Sequence, residues 1–348
     1  MRLEPRPRTG PWLGIAAPLG AALLALLICA LPLALAGANV PTAYGLMLKG
    51  SLGTRFAATE TLTRAAPLIL TGLAAAIAFR ARLWNIGAEG QLYLGALAAV
   101  AVGTGAVPVP GFLLLPLVIA SGALAGALWM LGPAWLRVRF GVDEVVTTLL
   151  SNFIVLLLVG MMLEGPLQDP MSLGWPQSAP MLDVATLPKL VARTRLHFGL
   201  VLALAAAILT WLIIQRTRFG FELRAVGANP EAARFAGISE RRVMLKVALL
   251  SGAMAGLAGV GEVAGLKGYL TQDLSPGYGY AGIVVATLAQ LGPLAVIASA
   301  LFIAGVFVGA DSMSRAIGVS SYIANLIVAT ALLTMLLAGL VTHFRISR

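Results

Sequence analysis

The sequence predicts an all-α polytopic membrane protein of about ten transmembrane helices, and three observations predict it. Hydrophobic residues make up 59% of the 348 and charged residues 11%, against roughly 45–50% and 25% in soluble proteins. Apolar runs of about twenty residues, long enough to cross a bilayer's hydrocarbon core, follow one another along the chain. Too little polar sequence remains to clothe a soluble helical core of this size. The formal charge of +10 would point to nucleic acid in a soluble protein. In a membrane protein it marks the loops that face the cytoplasm, where Lys and Arg concentrate. The one cysteine, Cys29, lies inside an apolar run, so an internal disulfide is excluded and no metal site is indicated.

Taken in order, residues 1–10 are a basic tail with Arg2, Arg6 and Arg8. The first span covers Trp12–Ala36. Its basic head and Ala34-Leu35-Ala36 resemble a signal peptide, but the apolar run exceeds a signal core of about 7–15 residues, so an uncleaved span is expected. Thr61–Phe79, Ala88–Val107, Phe112–Leu131 and Val145–Leu163 follow, and then a proline-rich loop over 164–197. Phe198–Ile214, Met244–Leu266, the short Gly279–Leu291, Leu294–Ala310 and Tyr322–Leu340 complete the ten. With the N-terminus inside, sixteen of the 24 Lys and Arg fall on the cytoplasmic side, which makes an even helix count self-consistent. Loop 164–197 is then external, segment 216–243 and both termini are cytoplasmic, and residues 1–348 form a single transmembrane domain.

The cytoplasmic segment carries seven cations between Arg216 and Lys246 and a helix-start signal in its middle. Asn229 caps free backbone N–H groups, Pro230 suits the first turn, and Glu231 sits where the helix dipole favours an anion. Ala232, Ala233, Arg234, Phe235 and Ala236 continue a short helix that Gly237 ends. Such a helix is either a connector or a handle by which something outside the membrane moves the spans.

Gly and Pro also interrupt the apolar pattern at two corresponding places, Leu83–Gln91 and Ser275–Gly282. Span five contains Ser151-Asn152-Phe153-Ile154-Val155 and span ten Ala324-Asn325-Leu326-Ile327-Val328. Five spans separate the two sets, so the halves are inverted, and interrupted helices at matching positions suggest a transport path at the repeat interface. Gly252, Gly256, Gly259 and Gly261 fit close helix packing. No G-x-x-x-x-G-K-[ST] loop is present, and His197 and His343 stand at no catalytic or ligand spacing, which argues against a nucleotide hydrolase or a membrane enzyme.

Asn85-Ile86-Gly87-Ala88-Glu89-Gly90-Gln91 and Arg224-Ala225-Val226-Gly227-Ala228-Asn229-Pro230-Glu231-Ala232-Ala233 resemble motifs of ABC importer permeases of the branched-chain amino acid/ribose-type superfamily. The first of them is similar to the nucleoside-type, basic membrane protein-associated branch. Thr147–Phe153 and Gly279–Ala286 match two further stretches, while Gly292-Pro293 replaces a common N-P. The resemblance implies a type II importer permease of the bacterial plasma membrane, forming the path for nucleosides or a related small polar solute such as a simple sugar. It implies a second homologous permease, an extracytoplasmic substrate-binding protein and an ABC ATPase. ATP is used by that ATPase, and this chain binds no cofactor of its own. Gly227–Ile238 is then the coupling helix, with Phe235 as apolar anchor and Glu231 and Arg234 as rim charges.

The candidate path residues each carry two readings. Glu89 contacts solute or pairs with Arg80 or Arg82. Asn85 and Gln91 bond a ribose or base, or satisfy the broken backbone; Asn152 joins helices or lines the path. Glu262 pairs with Lys267 or meets solute, and Trp84 stacks on a base or anchors at the interface. An ion-coupled secondary transporter is the rival function, with Glu89 and Glu262 as its coupling carboxylates.

Overall fold

The computed structural model describes residues 2–5, 11–320, 322–323, 325–327, 329–330, 333–334, 337 and 344–347. Apart from one short antiparallel strand pair, Arg2–Pro5 with Phe344–Ser347, the regular structure among the described residues is helical. Six of these helices are long and apolar enough to cross a membrane, or seven if one bent pair counts as a span. The described residues fall into two compact units, one of 62–300 and one of 1–61 with 301–348.

In the smaller unit, α1 (Pro11–Leu35) and α2 (Val40–Leu52) make the bent pair, at 116°. Gly37 at φ +76° closes α1, with the Ala38 N–H donating to the Leu33 carbonyl, the usual left-handed helix stop. Asn39 then caps α2 by accepting from the Thr42 N–H at 3.1 Å. Helix α2 was not expected, because Thr42, Tyr44, Lys49 and Ser51 break up its short apolar run. Its buried face of Ala43, Met47 and Ser51 meets Gly309, whose missing Cβ lets the Met47 backbone approach. The predicted tenth span, Tyr322–Leu340, lies partly outside the described residues, as do Ala324 and Val328 of the repeat comparison and His343.

The larger unit takes in most of α3 (Arg55–Arg80) and then α4 (Ala88–Gly103), α5 (Gly111–Phe140), α6 (Glu144–Leu163) and α7 (Gly199–Arg216). After these come α8 (Arg218–Ala228), α9 (Pro230–Phe235), α10 (Glu240–Val260), α11 (Tyr278–Leu288) and the start of α12 (Ala295–Ile317). The apolar window of α3 is 83% buried and that of α10 with its continuation to Lys267 67%, whereas α5 and α6 bury 28% and 33%. The outer helices expose Leu124, Leu128, Leu150, Phe153 and Leu157, the composition of a surface meant for lipid tails. Short α4 is wedged between α5 and α10 by glycines: a Cβ on Gly95 would strike the Gly256 backbone, one on Gly126 the Gly252 carbonyl, and one on Gly259 the Leu92 carbonyl. The packing role expected of Gly252, Gly256 and Gly259 is therefore the observed one.

Candidate functional site

The chain leaves α3 through a left-handed stop made without glycine. Arg82 sits at φ +56°, and the Leu83 N–H donates to the Ala78 carbonyl at 3.0 Å. Four side chains of α5 and α6 then hold the break. Arg137 donates to the Arg82 carbonyl at 2.6 Å and pairs with Glu144, which accepts from the Trp84 N–H at 3.2 Å. The Thr148 hydroxyl accepts from the Ile86 N–H at 3.2 Å, and Asn152 donates to the Ile86 carbonyl at 3.0 Å.

Asn85 and Gln91 face each other as paired amides, exchanging two hydrogen bonds of 2.9 Å. Asn85 also donates to Ser251 on α10 at 2.9 Å and accepts from the Gly87 N–H at 2.9 Å. Asn152 accepts from the Gly90 N–H at 2.8 Å and donates to the Tyr280 hydroxyl at 3.1 Å. All three amides are wholly buried. Of their two predicted uses, satisfying the broken backbone is the one in view. Trp84 is different: it packs at 4.7 Å on Phe79 yet remains 46% exposed.

Glu89 does not pair with Arg80 or Arg82. Arg80 donates to the Leu291 carbonyl and Arg82 to the Ala228 carbonyl, at 2.9 and 3.0 Å. The Glu89 carboxylate instead accepts from the Gly279 N–H at 2.6 Å, in the first turn of α11. Glu89 itself stands in the first turn of α4, so a single buried carboxylate serves the N-terminal ends of two short helices, where backbone dipoles favour an anion. Gly279 permits this, since a Cβ there would strike the Glu89 backbone. Just ahead of α11, whose N-cap is Gly277, the Ser275 hydroxyl accepts from the Gly277 and Tyr278 N–H groups at 3.1 and 2.9 Å. Tyr280, 40% exposed beside Asn152, is a site residue that sequence reasoning did not single out.

Glu262 lies in a seven-residue π-helical turn, Gly261–Lys267, that ends α10 and keeps the carboxylate in the interior. The expected ion pair with Lys267 is not formed: Lys267 pairs with Asp273 at 3.5 Å and donates to Thr271 at 3.1 Å. A hydrogen bond from Thr271 and the charge of Lys267 hold the Asp273 carboxyl below its ordinary range. His197 rests against Gly265 of this turn, and its Nδ1 accepts from the Gly199 N–H at 3.1 Å. Burial pulls its pKa from 6.5 down to about 4.

The short helix expected from Asn229-Pro230 to Gly237 is α9, and the first two residues of the coupling segment Gly227–Ile238 belong to the helix before it. Thr217 caps α8, which ends at Ala228, and its Gly227 packs directly on the Arg80 carbonyl. Asn229, extended at φ −151°, then caps α9 through the Glu231 and Ala232 N–H groups at 3.0 and 3.1 Å. Pro230 opens it, and Gly237 at φ +82° closes it. Ala233 is buried, Arg234 pairs with Glu240 at 3.2 Å, and Phe235 stands 97% exposed. Two open clefts flank this turn. One of about 430 Å³ is lined by Arg218, Glu222, Arg242 and Lys246, the other of about 350 Å³ by Arg137, Arg234, Glu240 and Arg241.

A broken, internally braced helix pair behind lipid-facing apolar helices defines a multi-pass membrane transport component. The chain belongs to the permease family described as the branched-chain amino acid transport system permease component, whose model matches residues 57–342. It is 39% identical to a glucose ABC transporter permease protein of Haloferax volcanii, over 99% of this chain and 93% of that one. A guanosine ABC transporter permease protein of Bacillus subtilis is 38% identical, over 91% of each chain. A nucleoside ABC transporter permease protein of Lactococcus lactis is 31% identical, over 86% of this chain and 84% of that one. The chain is thus an ABC transporter permease, a transport component and not an enzyme, and the ion-coupled secondary transporter falls away.

Proposed function

We propose that this chain lines the translocation path of an ABC importer for nucleosides or a related small polar solute such as a simple sugar. ATP is hydrolysed by a separate ATPase that docks on residues 227–238, and a second homologous permease supplies the other wall. An extracytoplasmic binding protein delivers the solute, and both termini are cytoplasmic. The glucose, guanosine and nucleoside named for the relatives share a hydroxylated ring, which supports this solute class.

The observation that carries the reading is Phe235, a large apolar side chain left 97% exposed on a helix whose backbone ends are closed. An apolar anchor between charged clefts suits a groove on a soluble partner. Within the path, the exposed aromatics Trp84 and Tyr280 are better placed to meet a sugar or base than Asn85, Gln91 and Asn152, whose polar atoms are spent. Glu89 acts by holding the starts of α4 and α11 together near that path, and the buried Glu262 stays a path candidate within the π-turn. The halves are inverted, with α4 and α11 as matching short helices that begin beside each other at Glu89.

The test is co-purification from detergent-solubilised membranes with the ATPase encoded beside this chain. Wild type retains the ATPase, and Phe235→Ala weakens the association by roughly thirtyfold, the loss of about 2 kcal/mol expected of an interface hot spot. Unaltered association in Phe235→Ala, Glu231→Ala and Arg234→Ala together would remove the coupling role from this turn.

A further inference from the structure

Residues 168–178 of the long loop form a hairpin. Gln168 and Ser178 bridge antiparallel, and the Asp169 N–H donates to the Gln177 carbonyl at 2.9 Å. The tip is wound tight by its own hydrogen bonds. The Asp169 carboxylate accepts from the Met171 N–H at 2.9 Å, and its carbonyl accepts from the Ser172 hydroxyl at 2.7 Å. The Ser172 carbonyl accepts from the Trp175 N–H at 3.0 Å. Leu173 and Gly174 both take left-handed backbone, at φ +53° and +87°, and for a leucine that conformation is strained. The ordered tip presents Met171, Leu173 and Trp175 to solvent at 84%, 99% and 69% exposure. Burying one such side chain is worth about 1.5–3 kcal/mol. A simple connector gains nothing from holding three of them outward.

The base of the hairpin is tied to the segment that leads into α11. The Ser178 N–H donates to the Leu270 carbonyl at 3.0 Å, Leu270 N–H donates to the Ser178 hydroxyl at 2.9 Å, and Gln177 bridges Thr271. Two residues further on, the Tyr93 hydroxyl of α4 donates to the Gln272 carbonyl at 2.7 Å and accepts from the Ser275 N–H at 3.1 Å. The Ser275 hydroxyl in turn accepts from the Tyr278 N–H at the start of α11. Hydrogen bonds and the short backbone stretch 270–278 thus link the base of the hairpin to the junction of α4 and α11.

We infer that Met171, Leu173 and Trp175 form the knob on which the extracytoplasmic solute-binding protein docks, seated in an apolar cleft with a cationic rim. This rests on the reading that such a protein delivers the solute and that the loop is external. Charge favours a protein over a bilayer surface: residues 164–178 hold Glu164 and Asp169 and no Lys or Arg. Segments that settle on anionic lipid carry cations. The tie to α11 favours it too, since arrival of a loaded partner must reach the helices, whereas a lipid anchor needs no such link.

The experiment uses the complete transporter, both permeases with the ATPase, in lipid nanodiscs, and titrates the purified binding protein while following ATP hydrolysis. The triple variant Met171→Ser, Leu173→Ser, Trp175→Ser is expected to raise the half-saturating concentration of binding protein at least tenfold with an unchanged unfolding temperature. Leu173→Asp alone, at a fully exposed position, is expected to move it in the same direction. Leu190→Ser, exposed in the same loop outside the hairpin, leaves it at the wild-type value. Stimulation curves that superimpose overturn the docking knob and leave delivery by a binding protein standing. Wild-type transport that ignores the binding protein overturns both. Brominated lipid that quenches the wild-type emission more than that of Trp175→Phe, in the absence of partner, overturns the knob in favour of a membrane anchor.

Discussion

The break over 81–91 and the turn over 229–237 are both rich in small and polar residues, and they put them to opposite uses. In the break, Asn85, Gln91 and Asn152 are wholly buried and their amides are committed to one another and to the backbone. In the turn, Asn229 and Gly237 close the backbone of α9 and leave Phe235 in solvent. Both motifs carry the family resemblance. The difference teaches that a motif can be distinctive because it holds a helix open, without touching what is carried. A buried polar group costs free energy unless paired, so an interrupted helix in an apolar setting needs dedicated amides and hydroxyls as much as a binding site does.

The largest expected effect breaks the first half of this comparison. Asn85→Leu leaves the Gly87 N–H and the Gln91 Oε1 without their partner, and the Gln91 amide nitrogen with only the Met130 sulfur. Each orphaned buried group costs about 1–3 kcal/mol. Little folded protein is expected, read as loss of the monodisperse peak in detergent chromatography. Phe235→Ala, by contrast, leaves thermal stability within about 0.5 kcal/mol of wild type, because the side chain has almost nothing to lose in the isolated chain. An Asn85→Leu protein that folds normally but fails to transport would place Asn85 on the path and collapse the distinction.

His197 sharpens the same rule from a polar group that is not fully paired. Nδ1 accepts from Gly199, so the proton sits on Nε2, which is buried without a hydrogen-bond partner among the described residues. The unfolded chain takes up a proton near pH 6.5, and the folded one only near 4. Stability is then complete above pH 6.5, falls as the pH drops toward 4, and levels off below it. The interval corresponds to about 3 kcal/mol. His197→Asn keeps an acceptor for the Gly199 N–H and is expected to flatten thermal unfolding between pH 6.5 and 4. Asp273, already held below the ordinary carboxylate range, contributes its own loss at lower pH. A wild-type melting temperature constant across this interval would show that His197 is wetter than its surroundings imply.

What could be read from the chain alone follows from how far each signal reaches. Long spans declared themselves by hydropathy, and the caps of α9 by local residue chemistry, Asn229-Pro230 at one end and Gly237 at the other. Helices α2 and α8 escaped because each is short and has charged or hydroxylated residues between its apolar ones. The division of labour inside the site was hidden for a different reason. Asn85 meets Ser251 across 166 residues, and Glu89 meets Gly279 across 190. No spacing rule connects such positions. Neither reading of Glu89, solute contact or a pair with Arg80 or Arg82, named the Gly279 N–H, which it meets because two helix ends approach where Gly279 lacks a Cβ.

The last expected effect, a loss of coupling rather than of folding, joins the two regions. Gly227 lies against the Arg80 carbonyl, and one residue on the Ala228 carbonyl accepts from Arg82, whose own carbonyl is held by Arg137 at the break. The turn that carries Phe235 is therefore mounted on the end of α3. Gly227→Ala places a methyl group where the Arg80 oxygen now sits, so α8 has to withdraw. Overpacking of this kind costs about 1–3 kcal/mol, toward the lower end where a surface helix is free to shift. The variant is expected to fold and to keep the ATPase, since Phe235 and its caps are untouched. Uptake per ATP hydrolysed is expected to fall, because displacement of α9 no longer bears on α3. Gly237→Ala is the control: it strains a left-handed position with nothing nearby to strike, so it perturbs α9 without altering the seat on Arg80. Equal coupling ratios in Gly227→Ala and wild type would mean that α9 moves the spans through α10 alone, and the contact at Arg80 would be packing and nothing more.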